Sequence, residues 1–226
     1  ETVQLFTMDP DIKTVSDLKG KDVSIGASGS GVYFNALDVL EGAGLGINDI
    51  NPQYQSFEDS KEALKDGRID AAFIVAGAPT SAITELATTN GVYLVNINGE
   101  VRDRIMEECS YYEPLTIPAG TYPGQDEDVE TITVKAVLIV SVDADEDTVY
   151  KLTAALFDHA DEITQENAKG SELSVENAIS VQTLPFHKGA ARYYAEHGIT
   201  VNTDESSAKT EPENTFSEAS DSSDNN

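Results

Sequence analysis

The sequence predicts an α/β fold. Three observations carry that prediction. From residue 22 to residue 109, apolar runs of strand length alternate with stretches of helical spacing. The run Ala71–Ala76 (AAFIVA) is continuously apolar, as a parallel strand covered on both faces would be. Glycine, serine or proline stands at most of the junctions, where strand-to-helix turns need them.

The elements follow in order. Residues 22–26 (DVSIG) read as a short strand after the turn Lys19-Gly20-Lys21. Residues 30–41 form a helix, with Phe34, Leu37 and Leu40 at helical spacing and Gly42 and Gly44 ending it. A strand over 54–57 precedes a short helix over 58–66 that Gly67 closes. After Ala71–Ala76 comes a helix over 79–88 with Pro79 in its first turn, a strand over 92–97 and a helix over 100–109. This βαβαβ rhythm implies a parallel sheet. Residues 115–128 (LTIPAGTYPGQDED) read as an ordered loop. Residues 131–142 (TITVKAVLIVSV) read as one strand about 40 Å long, enough to cross between lobes. Helices over 146–159, 174–181 and 187–198 follow. The tail from residue 201 holds seven acids, one lysine and four apolar residues in 26 positions, and reads as disordered.

Composition removes several function classes. The 226 residues carry 41 acids against 14 basic residues, a formal charge of −27. Phosphate backbones and anionic lipid heads both call for basic patches, so neither nucleic acid nor a membrane surface is an expected partner. A salty medium suits such a chain, because salt screens self-repulsion beyond roughly 8–10 Å. No run of 18 apolar residues is present, so no insertion into a bilayer is expected. Cys109 is the single cysteine, which excludes an internal disulfide and a CxxC zinc site. His159, His187 and His197 lack metal-ligand spacing, and the acid runs at 126–130 and 143–147 lack the DxDxDG pattern of an EF-hand. Capping or packing is the expected role of His187. No metal or cofactor is expected.

The strongest local signal is Gly26-Ala27-Ser28-Gly29-Ser30-Gly31, between a strand and a helix. Glycines let a ligand approach the main chain. Ser28 and Ser30 offer hydroxyls, and a helix start offers free N–H groups. The sharper motifs fail here. A P-loop needs Lys-Ser/Thr where Val32-Tyr33 stand; GxGxxG counted from Gly29 meets Phe34; GxSxG fails because Ser30 follows Gly29. A tight turn capped by Ser30 is the plainer reading. Gly77 and Pro79 form a second strand-to-helix junction at the same kind of edge, where α/β sheets hold ligands. The turn Thr121-Tyr122-Pro123-Gly124-Gln125 offers an aromatic wall and an amide, and Tyr122 and Gln125 are expected to face a cleft. No nucleophile, base and orienting acid assemble, so an enzyme is not expected.

Taken together, these stretches resemble the solute-binding proteins of TRAP transporters, in the TAXI subfamily. The matching segments run in order: VSDLKGK and VSIG at 15–26, Gly29-Ser30-Gly31 with Ser28 where proline is common, GRIDAAF at 67–73, and Ala76-Gly77-Ala78-Pro79. IPAGTYPGQ at 117–125 is the most specific; VYKLT at 149–153 and LPFHKGAARYY at 184–194 complete the set. The resemblance covers about residues 1–200 and excludes the tail. It implies a class II periplasmic-binding-protein fold, with two α/β lobes closing on a small carboxylate such as glutamate. It further implies delivery of that ligand to integral-membrane TRAP permease subunits, at the periplasmic or extracellular face of the cytoplasmic membrane, with no chemistry performed. Ser28, Gly29, Ser30, Gly31, Gly77, Pro79, Tyr122 and Gln125 are the expected ligand-binding residues. Members of the subfamily begin with a further strand, Gly-rich loop and helix. The chain is therefore expected to hold a strand leaving the first lobe (1–11), a nearly whole second lobe (12–131), a hinge strand with returning helices (132–200) and the acidic tail (201–226). Two other readings stay open: a ligand-sensing domain of a signalling protein with the same fold, and an enzyme of the related porphobilinogen-deaminase or prephenate-dehydratase folds. The latter lacks the cysteine on a mobile loop and any catalytic triad.

Overall fold

The computed structural model describes residues 1–181 and 184–204, so most of the tail lies outside the described residues. The chain divides into two compact units, Glu1–Ala136 and Val137–Asn226.

The first unit is built on one mixed sheet. Its strands are β1 (Thr2–Thr7), β2 (Asp22–Ser24), β3 (Asn51–Gln53), β4 (Ala71–Ala76), β5 (Tyr93–Val95), β6 (Glu113–Ile117) and β7 (Val129–Thr133). They lie in the order β3-β2-β4-β1-β7-β6, with β5 also paired to β1. Parallel pairing is confined to β3, β2 and β4. β1 runs antiparallel to β4 and β5 and lies between them, so the parallel series implied by the βαβαβ rhythm is interrupted by one antiparallel strand. β1 lies in the middle of this sheet and is buried at all six positions.

Alternation along the central strands explains how both faces are covered. Val3 and Leu5 of β1, with Ala71, Phe73 and Val75 of β4, join a core completed by Ala36, Val39 and Leu40 of helix α1 (Gly31–Gly42) and Ile105 of helix α4 (Gly99–Glu108). Phe6, Ala72 and Ile74 point the other way. They pack with Ala63 and Leu64 of helix α2 (Phe57–Lys65) and Ile83 and Leu86 of helix α3 (Ser81–Asn90).

Four expected boundaries are corrected. The strand placed at 54–57 is β3 at 51–53, because Ser56 turns the chain into α2 by accepting the Asp59 amide on its side chain. Pro52 is tolerated there because β3 is an edge strand. The loop placed at 115–128 begins as strand β6, whose pairing with β7 runs from Glu113↔Thr133 to Ile117↔Val129. Pro79 precedes Thr80, the residue before α3, and is not in the helix's first turn. The long strand over 131–142 stops at Thr133. That residue matches the end of β6 and Thr2 of β1, and Val134 donates its amide to the Glu1 carbonyl. Beyond it, no neighbouring strand continues the ladder among the described residues.

The second unit begins with that unladdered run. Val137, Leu138, Ile139, Val140 and Val142 are all exposed. Helices α5 (Glu146–Asp158), α6 (Ala160–Glu166), α7 (Val175–Ala178) and α8 (Lys188–Glu196) follow. The helix expected at 174–181 is reduced to α7, and α6 is an addition. α5 and α8 meet closely at Gly189, where a Cβ would lie 2.8 Å from the Tyr150 amide nitrogen. Phe157 stacks on Tyr193 at 5.5 Å, and Arg192 sits 4.1 Å over the Tyr150 ring while pairing with Glu146 and Asp147. His187 caps α8: its Nδ1 accepts the Gly189 amide at 3.1 Å, which leaves Nε2–H to donate to the Ala144 carbonyl at 3.1 Å.

Candidate functional site

Because β2, β3 and β4 are parallel, their carboxyl ends share one edge of the first unit. Each strand feeds a helix there: β2 leads to α1, β3 to α2 and β4 to α3. Three strand-to-helix connections therefore gather at one edge, which is where open α/β sheets hold ligands.

The first connection holds Ser28, Gly29, Ser30 and Gly31. Gly26 has φ +80°, and a Cβ on it would lie 2.7 Å from Val32 Cβ, so the loop turns there only because no side chain is present. The Ser30 amide donates to the Ala27 carbonyl at 3.0 Å, and its hydroxyl oxygen accepts the Tyr33 amide at 3.2 Å, capping α1. Ser28, Gly29 and Gly31 are exposed, and a Cβ on Gly31 would meet nothing within 4 Å.

The second connection, residues 54–56, falls where the sequence predicts a strand, and none of its residues is among those expected to bind ligand. Tyr54 and Phe34 are half exposed, at 51% and 53%. The Tyr33 ring lies between them, 5.1 Å from Phe34 and 6.1 Å from Tyr54. Gln55 follows, and its buried Oε1 has no hydrogen-bond partner among the described residues. Tyr33 and Phe34 are adjacent in sequence but Tyr54 lies about twenty residues on, so the cluster has no local sequence pattern.

The third connection runs from Ala76 to Thr80. Gly77 is half-buried and Pro79 exposed, and the Ala78–Pro79 peptide bond is cis. The Thr80 side chain does not cap α3; its hydroxyl donates instead to the Gly77 carbonyl at 2.9 Å.

Tyr122 and Gln125 are placed differently from the expectation. Tyr122 is 3% exposed, packed among Ile117, Ile83 and Phe6 of the second core. Its hydroxyl donates to Gln4 Oε1 and accepts the Thr80 amide at 2.9 Å, and burial pushes its pKa up. Gln125 braces its own turn: Nε2 donates to the Glu127 carbonyl at 2.9 Å and the Ile117 carbonyl at 3.3 Å, while Oε1 accepts the Tyr122 amide at 3.3 Å. Tyr122, expected to face a cleft, is instead buried in the fold, and the Gln125 amide is spent on its own turn. A buried phenol needs a partner, and this one finds it inside the fold.

Each of the four arginines lies beside an acid: Arg68 with Asp66, Arg102 with Asp103 and Glu130, Arg104 with Glu100, and Arg192 with Glu146 and Asp147. None of the three strand-to-helix connections carries an arginine in its own sequence. Among the described residues, no group of three metal-ligating side chains is present, and no helix is long and apolar enough to cross a membrane.

Comparison with known proteins places this geometry in a family. The model of the NMT1-like family matches residues 1–198. The chain belongs to that family. Among solved structures, this family member is similar to the periplasmic aliphatic sulphonate binding protein SsuA from Escherichia coli, with 19% identity over 86% of this chain and 54% of that one and a TM-score of 0.46. The alkanesulfonate-binding protein SsuA from Xanthomonas axonopodis pv. citri, bound to MOPS, matches at 22% identity over the same shares, with a TM-score of 0.45. An ancestral arginine-binding protein bound to arginine matches at 20% identity over 48% of this chain and 55% of that one, with a TM-score of 0.31. The chain thus spans 54% of the length of either SsuA protein.

Proposed function

We propose that this NMT1-like chain is part of an extracytoplasmic solute-binding protein that holds a small carboxylate and passes it to membrane permease subunits of the TRAP type, performing no chemistry itself. The carrying observation is the gathering of three strand-to-helix connections at the carboxyl edge of β2, β3 and β4. The exposed Ser28–Gly31 loop and the Gly77–Pro79 loop would meet the carboxylate, and the rings of Phe34 and Tyr54 would meet its apolar part. The ordered TAXI-like segments in the sequence support the transport class. The carboxylate is the finer part of the reading, and glutamate is its first candidate.

The test is a thermal-shift screen of L-glutamate, other amino acids, dicarboxylates and short alkanesulfonates, followed by calorimetry on any hit. A ligand at 100 times its Kd adds about 2.7 kcal/mol of stability. A saturable shift with a carboxylate and none with sulfonates supports the proposal. A shift with sulfonates alone replaces the ligand class, and no shift with any solute removes the binding reading.

A further inference from the structure

We infer that Gln4 and Tyr122 form a buried strut whose task is to position the connection between β4 and α3, and hence one side of the ligand edge; the inference rests on the solute-binding reading above. Gln4 is the anomaly that points to it. It sits in the middle of β1, 1% exposed, beside Val3, Leu5 and Phe6. An amide at such a place costs stability unless every polar atom is paired, and a leucine would pack there without that cost.

The pairing is complete and specific. Gln4 Nε2 donates to Thr80 Oγ1 at 2.9 Å and to the Ala76 carbonyl at 3.3 Å, and Gln4 Oε1 accepts the Tyr122 hydroxyl. The Tyr122 oxygen in turn accepts the Thr80 amide at 2.9 Å, and the Thr80 hydroxyl donates to the Gly77 carbonyl at 2.9 Å. Each hydroxyl has one proton, and each proton has one place to go. Turning the Gln4 amide over would set its NH2 against the Tyr122 proton and leave that proton unpaired. The network therefore fixes one arrangement of three segments remote in sequence: β1, the 118–125 loop and residues 76–80.

The consequence falls on the loop. Thr80 is drawn toward Gln4 and Gly77 instead of capping α3, and its amide is occupied by Tyr122. Both ends of the Gly77–Thr80 turn are thereby held against β1, and Gly77 and Pro79 are presented from a fixed base. Tyr122 and Gln4 act through the loop, as positioning residues, and neither would touch the solute.

The experiment compares Tyr122→Phe, Gln4→Leu and the double variant with the unaltered full chain. Two readouts are used: amide hydrogen exchange of peptides covering 77–81 without ligand, and the Kd for L-glutamate by calorimetry. Each single variant is expected to lower the Tm and to speed exchange at 77–81 by about tenfold or more. The double variant removes both buried polar partners, so it should regain part of the lost Tm. Exchange at 77–81 should nevertheless stay fast, and the Kd should stay about tenfold weaker. Exchange and affinity that return with the Tm, or single variants that leave exchange at 77–81 unchanged, would overturn the strut. If the unaltered chain binds no carboxylate, the solute-binding reading fails separately, and the exchange comparison still decides the strut.

Discussion

Gly26 and Gly31 stand five positions apart in one loop, yet the structure assigns them opposite sensitivities. A Cβ on Gly26 would collide with Val32 in a left-handed backbone, so Gly26→Val should destabilise the fold by about 2 kcal/mol or more. A Cβ on Gly31 meets open space, so Gly31→Val should leave the Tm unchanged while weakening L-glutamate binding by about tenfold or more. Thermal melts and calorimetry on the two variants check both outcomes; unchanged affinity in Gly31→Val removes that residue from the site. The sequence made the loop legible, because a Gly/Ser cluster between strand and helix has a local cause. It did not reveal that Tyr122 turns inward, since that depends on Gln4 and Thr80, which lie 118 and 42 residues from Tyr122. Gln125→Ala should accordingly lower the Tm by removing the brace of its turn.

The same division holds for whole elements. α5 is announced by Asp145, whose carboxylate accepts the Thr148 amide and hydroxyl, each at 2.8 Å. Those bonds hold its pKa below the ordinary carboxylate value. A depressed carboxyl pKa contributes stability that is present above the unfolded pKa, about 3.9, and is lost as pH falls through the folded pKa. Asp145→Ala should therefore melt earlier than the unaltered chain at pH 7, with the gap narrowing as pH falls below about 3.9. An equal gap at pH 7 and pH 2.5 would show that the carboxylate's bonds are not its source. α1 depends likewise on the Ser30 cap, and Ser30→Ala should cost about 1 kcal/mol in denaturant unfolding. Helices with such caps were readable within a few residues. The strand placed at 131–142 was not, because apolar β-branched residues mark a segment fit for a sheet but not the partners that end it. Thr133 is the last residue opposite both β1 and β6.

For the molecule as a whole, the net charge of −27 is the dominant electrostatic fact. Even Lys61, whose side chain is only 10% exposed, is surrounded by Glu58, Glu85 and Glu62, and its bonds to Glu58 and Glu85 raise its pKa. Raising salt from 0.1 M to 1 M shortens the screening length from about 10 Å to about 3 Å. The Tm should rise over that range; a fall would mean that ion pairs outweigh the repulsion. The α/β class and the alternation of elements were visible in the sequence. The insertion of β1 between β4 and β5 was not, since antiparallel pairing of Thr2–Thr7 with Ala71–Ala76 joins segments about seventy residues apart. That insertion leaves β2, β3 and β4 with a common carboxyl edge, where solute binding is proposed. Amide chemical-shift mapping of the full chain during titration with L-glutamate tests it most directly. Solute binding at this edge should give saturable shifts concentrated at residues 26–34, 54–57 and 76–81; saturable shifts confined to other surfaces, or none at millimolar glutamate, would contradict it.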